Sequence, residues 1–139
     1  MSTTAERADL EQRIEAIESA YEFMLAYAAQ GRDTDRGAAA GRSVREFLER
    51  MDKALDGLGG VTSACAARVD AELAKTGAAF FAAVDLDARV AQSAVRLVLA
   101  RADISSQLID NLNASIHLRA LLTDLFVVDE ALKPPKTKA

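Results

Sequence analysis

Apolar side chains recur through most of this chain in steps of three and four residues, which is the spacing of one face of an α-helix. One such stripe comprises Leu10, Ile14, Ile17, Tyr21, Met24 and Ala28. A second comprises Val44, Leu48, Met51, Leu55 and Leu58. No strand-like alternation of apolar and polar residues accompanies them, and both prolines follow residue 133, so no proline interrupts the preceding pattern. The sequence therefore predicts an all-α protein.

Glycines and a capping signal divide the first half of the chain into helices. Gly31 is a natural left-handed end for a first helix over about 4–30. Ser43 and Glu46 have the spacing of a capping box for a second helix, and Gly59–Gly60 would end it. We therefore expect two long antiparallel helices here.

The second half of the chain predicts two or three more helices. The first of these, over about 61–84, is rich in small residues, and Asp85 or Asp87 can cap the next one. A break near 111–113 separates that helix from a last helix that ends near Lys133, unless the two are continuous. The total is four or five helices.

Length and charge limit the organisation and the partners. The 139 residues fit one antiparallel helical-bundle domain over 1–133, followed by a disordered basic tail over 134–139. A net charge of −4 argues against nucleic-acid and membrane partners. No stretch is long and apolar enough to span a membrane. A single cysteine and the lack of a secretory signal pattern favour a cytoplasmic location.

The second half of the first helix contains a candidate ligand pocket. Tyr21, Phe23 and Tyr27 are aromatic, and Glu22 is the one charged residue among them. Apolar surroundings favour the protonated form of a carboxylate, and tyrosine hydroxyls can orient a small ligand. The alternative is that the aromatic side chains belong to the core and that Glu22 lies at the edge of a solvated acidic stripe.

The residues that metal and nucleophilic chemistry require are not grouped in this sequence. Carboxylate-bridged metal sites in helical bundles use Glu-x-x-His pairs, whereas the single histidine, His117, has Ala114 three residues before it. Cys65 lies on an apolar helical stripe without a neighbouring base, which predicts a buried thiol. We expect no cofactor and no metal, and we favour a binding protein over an enzyme.

Two surfaces predict that the protein acts by association. Glutamates line one side of the first helix, namely Glu11, Glu15, Glu18 and Glu22. On the last helix one apolar seam leaves Leu122 and Phe126 on a neighbouring side. We expect a homo-oligomeric adaptor or accessory subunit that binds itself or a larger protein through Leu122, Phe126 and the glutamates. The alternative is a regulatory bundle that binds a small ligand in an apolar pocket.

Overall fold

A computed structural model describes residues 4–37 and 39–134, without the side chains of 39–42, and all the regular structure in these residues is helical. The helices are α1 (Ala5–Ala28), α2 (Ala39–Leu55), α3 (Leu58–Val69), α4 (Ala71–Thr76), α5 (Ala78–Leu99), α6 (Ser106–Ala114) and α7 (Ile116–Ala131). The all-α prediction is confirmed, although the described residues form seven helices rather than four or five. The tail predicted over 134–139 lies outside the described residues, except for Pro134.

The bundle has four sides, and each side runs antiparallel to its neighbours. α2 returns along α1, with the ring centroids of Phe23 and Phe47 4.6 Å apart. α5 returns along α2, with Gln92 Nε2 2.9 Å from Asp52 Oδ1. α6 and α7 together form the fourth side, which runs back along α1 and closes the bundle. The predicted helical bundle is therefore present, with its last side divided in two.

The predicted apolar stripes form the core between these sides. In α1 and α2 the most completely buried large side chains are Leu10, Ile17, Met24, Tyr27, Leu48, Met51 and Leu55. The seam of the last helix is buried as well, through Leu118, Leu121, Leu125, Val128 and Leu132. Cys65 belongs to the same core, as predicted. The helical spacing of the apolar residues thus identifies the buried face of each of these helices.

The predicted boundary signals of the second helix are wrong. α2 already begins at Ala39, so Ser43 and Glu46 lie inside it and do not cap it. Gly57, with φ +69°, provides the left-handed residue after α2. Gly59 and Gly60 lie within α3 instead. The role of Gly59 is close packing, because a Cβ atom there would lie 2.3 Å from Asp85 Cβ of α5.

The helix predicted over 61–84 is interrupted. Asp70 adopts an extended conformation, ends α3 and caps α4 by accepting a hydrogen bond from Glu72 N at 3.2 Å. α5 then begins at Ala78, so Asp85 and Asp87 lie inside α5 and cap nothing. α3 and α4 thereby form the connection between α2 and α5, and α3 packs against both α1 and α5.

Two loops at one end of the bundle are joined by a buried carboxylate. Asp35, in the loop after α1, accepts hydrogen bonds from Ile104 N at 2.8 Å and from Arg45 Nε. The guanidinium of Arg45 also donates to the carbonyl of Leu99 at 3.2 Å. Burial raises the pKa of Asp35, but the hydrogen bonds from Arg45 and Ile104 outweigh it, and the pKa lies below its usual value. The charged form of Asp35 therefore holds the two loops together.

None of the helices, over the residues described, is both long and apolar enough to cross a membrane.

The last side of the bundle breaks at Ser115, whose ψ of 129° is not helical, rather than at 111–113. This break sets the direction of α7, and the direction of α7 shapes the candidate site.

Candidate functional site

A groove lies between α1 and α7 and opens to solvent. α6 packs closely along the second half of α1, whereas α7 lies farther from α1 after the break at Ser115. The cleft between them has a volume of about 400 Å³ and is lined by Glu18, Tyr21, Glu22, Arg119, Leu122, Thr123 and Phe126. A second depression of about 330 Å³ continues from it, lined by Arg7, Glu11, Ile14, Glu15, Glu18, Asp129 and Lys133. Glu18 lines both, so we treat them as one α1/α7 groove.

The apolar part of the groove centres on Phe126. This side chain is 60% exposed, while Leu122, one turn earlier on α7, is only 9% exposed. Tyr21 of α1 is half-buried and lines the same cleft. Leu122 therefore contributes mainly to the core, and Phe126 is the large apolar side chain of the groove that remains available for a contact.

One wall of the groove is acidic. Glu11 is paired with Arg7, whose Nε lies 2.9 Å from Glu11 Oε2 and whose Nη2 lies 2.7 Å from Asp129 Oδ1. Glu15, Glu18 and Glu22 form no salt bridge within the part of the chain that the structure describes. The wall therefore carries carboxylates without a neutralising partner.

The pKa of Glu18 is raised, in part because of this concentration of negative charge along the wall. Partial burial raises it, and the carboxylates of Asp129, Glu22 and Glu15 raise it further. A bound cation would remove the repulsion among these groups. The electrostatics of the groove thus favour a positively charged occupant.

The ligand-pocket candidates do not lie together. Tyr21 and Glu22 line the groove, but Phe23 stacks on Phe47 at another face of α1. Tyr27 is fully buried, and its hydroxyl donates to the carbonyl of Ile104 at 2.7 Å. Burial also raises the pKa of Tyr27. Of the four ligand-pocket candidates, only Tyr21 and Glu22 therefore line the cleft.

The groove instead unites residues that the sequence assigned to two different sites. Tyr21 and Glu22 were ligand candidates, and Glu18, Leu122 and Phe126 were interface candidates. Glu11 and Glu15, the remaining interface candidates, line its continuation. All of these except the largely buried Leu122 can contact a molecule in the groove.

Sequence reasoning missed the polar residues that α7 contributes. Arg119 and Thr123 line the cleft, and Asp129 lines its continuation. Arg119, Thr123 and Phe126 are separated by four and three residues, which places them on one side of a helix. That spacing was a usable signal, although it does not reveal that α1 lies opposite.

A pair of carboxyl groups lies on another side of α7, facing α5. Burial raises the pKa of Asp124 to about 7, together with a hydrogen bond and charge repulsion from Asp87. Asp124 Oδ2 is buried, and no described residue donates a hydrogen bond to it. Asp124 retains its proton up to about pH 7, and this proton can be shared with the neighbouring Asp87 carboxyl group. This pair was not predicted from the sequence, where Asp85 or Asp87 was expected to cap a helix.

This pair predicts that stability falls as the pH rises from about 4 to about 7. In that interval the unfolded chain ionises Asp124 while the folded chain retains the proton, so deprotonation favours unfolding. Asp124→Asn has no such proton to lose. We expect the variant to be more stable than the parent by about 1–2 kcal/mol near pH 8 and by less near pH 5. Thermal unfolding of the parent and of Asp124→Asn at both pH values tests this prediction, and Asp110→Asn, at an exposed position, is the control. If the stability of Asp124→Asn differed from that of the parent by the same amount at both pH values, the shared proton would be contradicted.

Comparison with models of protein families, with curated proteins and with solved structures finds no match to this chain. Among the described residues, no group of three or more His, Cys, Asp or Glu side chains is arranged to hold a metal ion.

Proposed function

We propose that the protein acts by association, as an adaptor or accessory subunit that binds a partner protein in the α1/α7 groove. The observation that carries this proposal is the placement of exposed Phe126 in a cleft with Glu18 and Glu22, next to a second depression lined by Glu15 and also by Glu18. Burial of a phenylalanine side chain contributes about 1.5–3 kcal/mol, which the isolated chain largely forgoes at this position. Aromatic side chains surrounded by polar ones are typical anchors of protein interfaces.

Affinity capture from the native host tests this function. The full chain and the variants Phe126→Ser and Leu86→Ser serve as baits, and bound proteins are quantified by mass spectrometry. Leu86 is an equally exposed apolar residue on α5, so it is a matched control. We expect a partner that the parent and Leu86→Ser retain and that Phe126→Ser loses. Equal recovery with all three baits would contradict binding in the groove.

We also propose that the chain forms a homo-oligomer, through a different surface. Besides Phe126, four exposed large apolar side chains lie on α5 and α7, namely Leu86, Leu97, Ile116 and Val127. Because α5 and α7 are antiparallel and Asp87 interacts with Asp124, this register places Leu86 at about the level of Val127 and Leu97 at about the level of Ile116. We call these four residues the α5/α7 face.

Charge favours this face over the groove for a second copy. The sequence assigned the contact to Leu122 and Phe126, but Leu122 is buried and Phe126 stands beside glutamates. A symmetric contact through the groove would place each acidic wall against its copy, which is unfavourable. The four residues that define the α5/α7 face are uncharged, so two copies of it do not repel in this way.

We predict that the parent chain sediments as a dimer at roughly micromolar concentration, because small interfaces of this kind give dimers in this range. Leu97→Asp places a charge in the centre of the contact and should yield a monomer with unchanged helical content, because Leu97 is 72% exposed. Phe126→Glu should leave the dimer intact. A monomeric parent, or a dimer that only Phe126→Glu dissociates, would contradict the assignment.

A small-ligand function is the second candidate. The volume of the cleft, about 400 Å³, lies in the range of ligand sites, and Tyr21 and Glu22 offer an aromatic ring and a carboxylate. A ligand of this site would combine an aromatic body with an amine. It should raise the melting temperature of the parent and not that of Tyr21→Ala, and a thermal-shift screen of aromatic amines without such a compound would dismiss this candidate.

A further inference from the structure

We infer that the occupant of the α1/α7 groove is a basic amphipathic α-helix of a different protein. This inference rests on the proposed function and specifies its partner. It draws on three properties of the groove, which are its length, the distribution of its apolar surface and the sign of its charge.

The length of the groove suits one helix. From Arg7 to Glu22 the wall formed by α1 comprises 16 residues, which corresponds to roughly 22 Å at the rise of an α-helix. A partner helix of about 15 residues fills this length. A groove between two helices is also the usual place for a further helix, which covers the apolar seam of the bundle there.

The apolar surface is confined to one seam. Exposed Phe126 and half-buried Tyr21 provide it in the cleft, where Leu122 is largely buried, and Ile14, in the continuation, is buried as well. The flanking positions are polar on both sides. A matching partner therefore presents one apolar stripe rather than a fully apolar surface, as an amphipathic helix does.

The charge of the groove selects basic residues on one flank of the partner. The α1 wall carries Glu15, Glu18 and Glu22 without salt-bridge partners in the described chain, and the like charges raise the pKa of Glu18. The α7 wall is mixed, because Arg119 and Lys133 accompany Asp129. Lysine or arginine is thus required on the flank that faces α1 and not on the other.

The same charges disfavour other occupants. Nucleic acids and anionic membrane surfaces carry the sign of the α1 wall, so both are repelled. A second copy of this chain would have to present a basic stripe, whereas its own groove wall is acidic. A basic helix from another protein meets neither obstacle.

Titration of synthetic peptides against the full chain tests the inference. The probe is a helical peptide of about 15 residues with a leucine stripe and lysines along one flank. Two comparison peptides replace the lysines with glutamine or keep the composition in scrambled order. We expect the basic amphipathic peptide to bind at least tenfold more tightly than either, with an affinity that falls as salt is added.

Two groove variants and one matched control locate the binding. Glu15→Gln/Glu18→Gln/Glu22→Gln should weaken binding about tenfold, and Phe126→Ser by a similar factor. Glu46→Gln/Glu49→Gln/Glu72→Gln makes the same change in net charge at exposed positions elsewhere and should have no effect.

Each other result overturns the inference in a distinguishable way. If the glutamine peptide binds as tightly as the lysine peptide, the groove remains a binding site but its partner is not basic. If no peptide binds, or if the groove variants bind as the parent does, the groove does not receive such a helix. If the groove variants dissociate a dimer of the parent, a second copy occupies the groove.

Discussion

Replacing Gly59 with alanine is expected to destabilise the fold by about 1–3 kcal/mol, whereas the same change at Gly60 should stabilise it by about 0.5–1 kcal/mol. A Cβ atom on Gly59 would lie 2.3 Å from Asp85 Cβ and 2.7 Å from Asp85 Cα, so α3 would have to move away from α5. A Cβ atom on Gly60 meets no atom within 4 Å. At Gly60 the preference of helices for alanine therefore acts alone.

Urea unfolding of the two single variants measures this difference directly. The comparison controls for helix propensity, because both glycines lie in the first turn of α3. Stabilisation by Gly59→Ala would contradict the close packing of α3 on α5. Destabilisation by Gly60→Ala would show that this position has a neighbour that the structure does not contain.

Asp35→Ala is expected to destabilise the protein by about 2–4 kcal/mol, or roughly 10 °C in melting temperature. The substitution leaves the buried amide of Ile104 without its acceptor and Arg45 without its carboxylate. Arg45 retains carbonyl acceptors, among them that of Leu99, and is partly exposed, so the loss stays below that for a fully buried ion pair. Exposed Asp33→Ala, two residues earlier, is the control and should change stability by less than about 0.5 kcal/mol.

The effect of Asp35→Ala should depend on pH with a defined sign. The pKa of Asp35 in the folded chain lies below its usual value, so its stabilisation is complete at neutral pH and is lost as the pH falls through the folded pKa. The difference in stability between the parent and Asp35→Ala should therefore narrow in acid below about pH 4. A constant difference across the acid range would mean that the charge of Asp35 does not contribute.

The buried faces of the helices were predictable because the spacing of apolar side chains by three and four residues does not depend on how the helices are arranged. The boundaries were less so, since they depend on tertiary contacts. The local sequence around Gly59 and Gly60 predicts a helix end. Gly59 is instead required because α5, which is remote in sequence, approaches the backbone closely at this position. Asp70 interrupts a helix that the apolar spacing alone would continue.

The site was predictable in its parts and not in its assembly. Glu18, Tyr21 and Phe126 were identified from their own helices, but only the antiparallel return of α7 along α1 brings them together. Grouping Phe23 with Tyr21 was an avoidable error, because residues two apart point about 200° apart around a helix. Tyr27 was misplaced for another reason, since its hydroxyl finds a carbonyl in a loop 77 residues away.

The two proposed surfaces make the adaptor function internally consistent. The α5/α7 face would join two copies of the chain, and the groove would remain free on each copy. Since Phe126 and Leu97 lie on different sides of the bundle, single substitutions separate the two activities. A dimer that still binds its partner after Phe126→Ser would place the partner outside the groove.

Photo-crosslinking within the native host tests the central claim most directly. A benzophenone amino acid replaces Phe126 in one form of the full chain and Leu86 in another, and the adducts are identified by mass spectrometry after irradiation. The account predicts a discrete adduct with a different protein at Phe126, within a basic helical segment, and an adduct with a second copy at Leu86. The absence of any protein adduct at Phe126, or adducts there with the chain itself alone, would contradict it.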